Sequence, residues 1–270
     1  MNPGISPIGH SYFEYVPLLE IQREIYRTPV GFQRFQKYLQ TMIGDSEDIA
    51  LPLVGMNPMG KEHVPAYLDQ LMAYSDDVAR QAVQEANRRL SSPSALKVVL
   101  VVCDDLKGGW TNRYFSEAVA RFNPSALLRR GWVVVPCWTS DSPSSEQIKR
   151  DTLAYIYRAV YISYRGQART LGQRMRQEGY ALAFAGEHLA LDTEELAYTA
   201  AVIEPHLDSE HYPTVMACLY GDEAAQTLGY KPLGFTVRAG LELALHQALS
   251  SGLPPETALH HQPPTQESWG

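Results

Sequence analysis

The sequence predicts an α/β fold, predominantly helical and built on a small parallel sheet, and three observations carry that expectation. Val98–Cys103 is an unbroken run of apolar, mostly β-branched residues, the pattern of a strand covered on both faces. A second such run spans residues 132–136 (Trp132 to Pro136), and a helical pattern lies between the two. Strand, helix and strand within roughly forty residues form a βαβ unit, whose right-handed crossover joins parallel strands.

The elements follow in order. Residues 1–12 carry two prolines, two glycines and no apolar period, so they read as an arm. Val16, Leu19 and Ile25, with Leu18 and Ile21, suit a short helix within residues 13–26. Thr28 then fits an N-cap and Pro29 a first helical position, with Phe32, Phe35, Leu39 and Ile43 on one face and Gly44 at the end. Residues 45–62 form a loop packed on the body. Val64, Tyr67, Leu68, Leu71, Val78 and Ala82 predict helix from His63 to Leu90, with a break near Ser75-Asp76-Asp77. Ser91–Ser94 marks a boundary, so a helical N-terminal layer (13–90) precedes an α/β part (97–251).

Beyond the second strand, Pro143 opens a helix behind Asp141 or Ser142, and Ile148, Thr152, Tyr155, Ile156 and Ala159 carry it to about Tyr164. Gly179 fits a C-cap. Asp192 caps a helix at 196–204, and Thr236 caps one at 237–249. The apolar runs 180–185 and 214–220 fit strand or helix, with helix preferred. Four prolines from Gly252 onward, without an apolar period, predict a disordered tail at 252–270 after a single globular domain at 1–251.

Composition narrows the function. A formal charge of −7 supplies no basic field for a phosphate backbone, so nucleic acid is not the expected partner. The three cysteines form no CxxC pair, which fits a reducing compartment. There is no signal-peptide pattern, and the longest apolar run is far short of a membrane span. A cytoplasmic protein with a small-molecule substrate or ligand and no membrane partner is expected. Tyr155, Tyr157, Tyr161 and Tyr164 cover more than one helix face, which is compatible with a homo-oligomer.

In open parallel sheets, ligands bind beyond the carboxyl ends of the strands. That rule selects Asp104 and Asp105 after the first strand and Asp141 after the second. Three carboxylates there suit general-base work or one divalent cation such as Mg²⁺ or Zn²⁺. Alternatively, Asp104 and Asp141 simply cap the following helices. The loop Gly108-Gly109-Trp110-Thr111-Asn112-Arg113 allows close backbone approach and sets a hydroxyl, an amide and a guanidinium near a helix N-terminus. Gly108, Gly109, Thr111, Asn112 and Arg113 are accordingly the candidate substrate-binding residues. Thr111 or Asn112 serves equally as an N-cap. A weaker metal candidate is Glu187, His188, Glu204 and His206; Cys103 and Cys137 read as core. The expected function is an enzyme acting on a small polar or anionic substrate, by divalent-metal-assisted hydrolysis. The alternative is a non-catalytic module binding a small molecule or a protein through the GGWTNR loop.

Overall fold

A computed structural model describes residues 12–45, 48–106 and 111–261. Strand β2 (Leu96–Cys103) is buried at every position but Lys97, as its two-sided apolar run requires. It pairs in parallel with β3 (Trp132–Trp138), Val98 opposite Val133 and Cys103 opposite Trp138. A third strand, β1 (Phe13–Tyr15), pairs in parallel with the other edge of β2, giving the order β1-β2-β3. The α/β, mostly helical architecture is therefore the one the sequence predicts. Among the described residues β3 pairs on one side only, and Pro136, which has no N–H to donate, suits such an edge.

β1 corrects the expected helix at 13–26, which shrinks to α1 (Leu19–Tyr26). Three residues are too few to show a period, and side chains complete the pairing that so short a strand leaves open. Asn87 accepts from the Tyr12 and Phe13 amides and donates to the Phe13 carbonyl. Further along, the fully buried Gln22 of α1 donates to the Val102 carbonyl at 3.0 Å and accepts from the Val102 amide at 2.9 Å. One amide side chain thus gives Val102 a pair of hydrogen bonds of the kind a neighbouring strand would make.

Between β1 and β2 follow α2 (Phe32–Ile43), α3 (His63–Met72) and α4 (Ser75–Arg89). The expected Thr28 cap is displaced to Gly31, and the expected apolar face of α2 is largely outside, with Phe32 72% exposed. That helix is held by the buried Arg34, which donates to the Thr28 and Gly60 carbonyls and lies over the Tyr26 ring. Ser75 begins α4 but makes no cap.

β2 leads through α5 (Arg113–Phe122) and α6 (Ser125–Leu128) to β3. Then come α7 (Ser145–Arg165), capped by Ser144 rather than Asp141 or Ser142, and α8 (Leu171–Ala185). α9 (Thr193–Ile203), a 3-10 turn (Glu204–His206), α10 (Tyr212–Tyr220), α11 (Asp222–Thr227), α12 (Ala239–Ser250) and α13 (Pro255–Ala258) complete the order. The two ambiguous apolar runs are both helical, in α8 and α10. Gly179 lies within α8, and its lack of a side chain lets α12 approach: a Cβ there would sit 2.1 Å from the Ala244 carbonyl oxygen. The left-handed C-cap is Gly186 (φ 74°). At the start of α12, Arg238 takes the left-handed conformation, and Thr236 is not the cap.

The apolar core has two parts, one around the sheet and one among α5, α8 and the later helices. Part of the expected disordered tail belongs to the first: α13 follows Gly252, and Leu259 is buried. Residues 262–270 lie outside the described residues.

Candidate functional site

The carboxyl ends of β2 and β3 adjoin, as their register requires, and bring Asp104, Asp105, Thr139 and Ser140 together. Asp104 is 2% exposed, and its carboxylate is fully engaged. Oδ1 lies 2.8 Å from His63 Nε2, and Oδ2 accepts from the Asn57 amide at 2.7 Å. Burial works against its charge, but the hydrogen bonds from His63 and Asn57 outweigh this and hold its pKa below the ordinary value. His63 opens α3, and 34% of its side chain remains exposed.

Asn57 is placed by the loop before α3. Its carbonyl accepts from the Tyr26 hydroxyl, its side-chain oxygen accepts from the Met59 amide, and Leu53 and Met56 are fully buried beside it. Within this loop Gly55 (φ 91°) faces Cys103, where a Cβ would stand 2.8 Å from the sulfur. Cys103 is buried, and burial pushes its thiol up to about 12; Cys137 is shifted in the same direction. Neither is a ready nucleophile, in keeping with a core role.

Asp105 accepts from the Ser140 amide at 3.0 Å and hydroxyl at 2.6 Å. The Thr139 hydroxyl accepts from the Asp105 amide and lies 3.2 Å from an Asp104 oxygen and 3.1 Å from an Asp105 oxygen. Thr111 donates to the Asp104 carbonyl, and Asn112 is the N-cap of α5, accepting from the Phe115 amide. Gly108 and Gly109 lie outside the described residues.

Arg113 departs from the sequence expectation. Rather than standing open for an anion, it grips Asp141 with two hydrogen bonds of 2.6 and 3.0 Å and donates to the Ser140 hydroxyl at 2.9 Å. Its guanidinium also lies over the Trp138 ring and 3.7 Å from Glu117. Burial opposes its charge, but Asp141 raises its pKa above the ordinary value. Asp141 therefore faces a cation already present in the chain. Among the described residues, no group of three or more His, Cys, Asp or Glu side chains is arranged to hold a metal ion. That covers both the Asp104, Asp105, Asp141 set and the Glu187, His188, Glu204, His206 set. Glu187 instead lies 3.6 Å from Arg150.

Behind Arg113 the charges continue inward. Glu117 contacts Arg121, whose guanidinium donates to Glu178 at 2.5 Å. Arg158 donates to the same carboxylate twice, at 2.8 Å each. All four side chains are buried. Burial would raise the Glu178 pKa, but Arg158 and Arg121 bring it down to about 2.

Sequence reasoning missed His63 and Asn57. The turn-forming Asn57-Pro58-Met59-Gly60 directly before a helix beginning at His63 was the available signal.

Fold and site together describe a helix-rich α/β protein with a polar site at the carboxyl ends of its central parallel strands. No protein-family model and no solved structure matches the chain. It is similar to the uncharacterized protein YjfC of Bacillus subtilis (strain 168), with 25% identity over an alignment covering 75% of this chain and 77% of that protein. No helix among the described residues is long and apolar enough to cross a membrane.

Proposed function

We propose that the chain is an enzyme that performs acid–base catalysis on a small polar substrate, with hydrolysis as the reaction class. The observation that carries this reading is the 2.8 Å contact between partly exposed His63 and buried Asp104. With Nε2–H donating to the carboxylate, Nδ1 carries the lone pair and accepts a proton from water or substrate. Asp104, held by Asn57, fixes the ring and stabilises the imidazolium that forms. The outer edge of Arg113 offers a donor to a polar group of the substrate. A cation-assisted version through Asp104, Asp105 and Asp141 is less supported, because Arg113 occupies Asp141 and both Asp104 oxygens already accept hydrogen bonds.

The test is turnover of p-nitrophenyl esters, phosphomonoesters and phosphodiesters, each with EDTA, Mg²⁺ or Zn²⁺. His63→Gln should lower kcat/KM about 100-fold or more, the usual scale for a lost acid–base group, with EDTA leaving the parent rate unchanged. Activity that survives His63→Gln, or no turnover of any class, removes the reading. Turnover abolished by EDTA and restored by Mg²⁺ would return the reading to a metal.

A further inference from the structure

We propose that the cavity beside β3 is a binding site for a small molecule with an apolar body and one carboxylate end, a medium-chain carboxylate being the simplest case. The cavity measures 390 Å³, within the range of small-molecule sites. Its walls are Val119 and Ala120 of α5, Leu127 of α6, Trp132 and Val134 of β3, and Tyr155 of α7. Phe115, Val119 and Val54 also line it, and they are 52%, 39% and 40% exposed. Single exposed apolar side chains are ordinary, but three around one opening make an apolar mouth. The body of the occupant is therefore apolar.

Arg158 defines its other end. It borders the cavity from α7, is 2% exposed, and stacks over the Tyr155 ring. Its Nε and Nη2 are engaged by Glu178, whereas Nη1 is buried without a hydrogen-bond partner. Buried donors rarely go unmatched, and a carboxylate is the acceptor a guanidinium suits best. Turning Arg158 toward the cavity would bring Nη1 to that acceptor. The cavity also shares walls with the strand-end site. Cys103 directly precedes Asp104, Thr111 donates to the Asp104 carbonyl, and Trp138 lies under Arg113. The proposal rests on the cavity and on Arg158, and it stands independently of turnover at His63.

Binding to the full chain is measured by calorimetry and thermal melts with decanoate, decanol and decyltrimethylammonium. Decanoate should bind one to one and raise Tm, with decanol at least tenfold weaker and the cation weaker still. Ala120→Phe fills the cavity and should reduce decanoate affinity at least tenfold while the circular dichroism spectrum and melt stay unchanged. Ser116→Phe, on the same helix face, serves if Ala120→Phe melts early. Absence of decanoate binding, equal binding of all three probes, or parental affinity in the filled variant would overturn the proposal. The readout is binding, so its failure is distinguishable from failure of the acid–base reading.

Discussion

Glu178→Gln tests the buried charges behind the site. The substitution keeps the side-chain shape but removes the negative charge facing Arg121 and Arg158. A folded pKa of about 2 lies roughly 2 units below the value of about 4.3 expected in the unfolded chain, which corresponds to about 3 kcal/mol at neutral pH. An independent route agrees: removing one partner of a buried ion pair typically costs about 3–5 kcal/mol. Against a total margin of about 5–15 kcal/mol, this is a large effect. The pH dependence follows from the direction of the shift. A carboxylate with a depressed folded pKa stabilises above its unfolded pKa and loses that contribution as pH falls through the folded value. The parent should therefore weaken between about pH 5 and pH 2. Glu117 and Asp104, both lowered, act in the same sense, and Asp151, raised by burial, opposes them. Urea unfolding at pH 7, 5, 4 and 3 should show the variant starting lower and losing less on acidification. A variant within about 1 kcal/mol of the parent at pH 7, or one with a parallel pH slope, refutes the reasoning.

Two other positions give sharp expectations. Gln22→Leu strands the buried Val102 amide and carbonyl, so it should cost about 2–6 kcal/mol, at about 1–3 for each group, and abolish hydrogen-exchange protection at Val102; retained protection would show that the side chain is no substitute for a strand. Gly179→Ala should destabilise by more than about 3 kcal/mol, beyond the usual range for a single substitution, because its methyl would meet the Ala244 carbonyl at 2.1 Å. A gain in stability, as expected of Gly→Ala in an open helix, would show that α8 and α12 are not in close contact.

The parts of the fold legible in the sequence are those in which burial leaves a local pattern. Val98–Cys103 is covered on both faces, so the chain spells a continuous apolar run, and the site rule for strand ends then leads to Asp104 and Asp105. β1 was illegible because three residues carry no period and its pairing depends on residues more than eighty positions away. Asn57 and His63 were missed for the same reason: they reach Asp104 across 47 and 41 residues. The three acids could be counted from the sequence, but their engagement could not. Arg113 was visible as a cation near the site, yet only the register of β2 against β3 shows that Asp141 holds it.

Thr139 couples the two acids of the strand-end site through a single proton. Its hydroxyl carries one proton, and two carboxylate oxygens lie at nearly equal reach. The Asp105 amide donates to its oxygen, and its own proton can go to Asp104 or to Asp105 but not to both at once. Whichever carboxylate gains a proton or a cationic neighbour becomes the poorer acceptor, and the hydroxyl turns to the other. Through that one shared proton, the hydrogen bonding of each acid is coupled to the charge of the other.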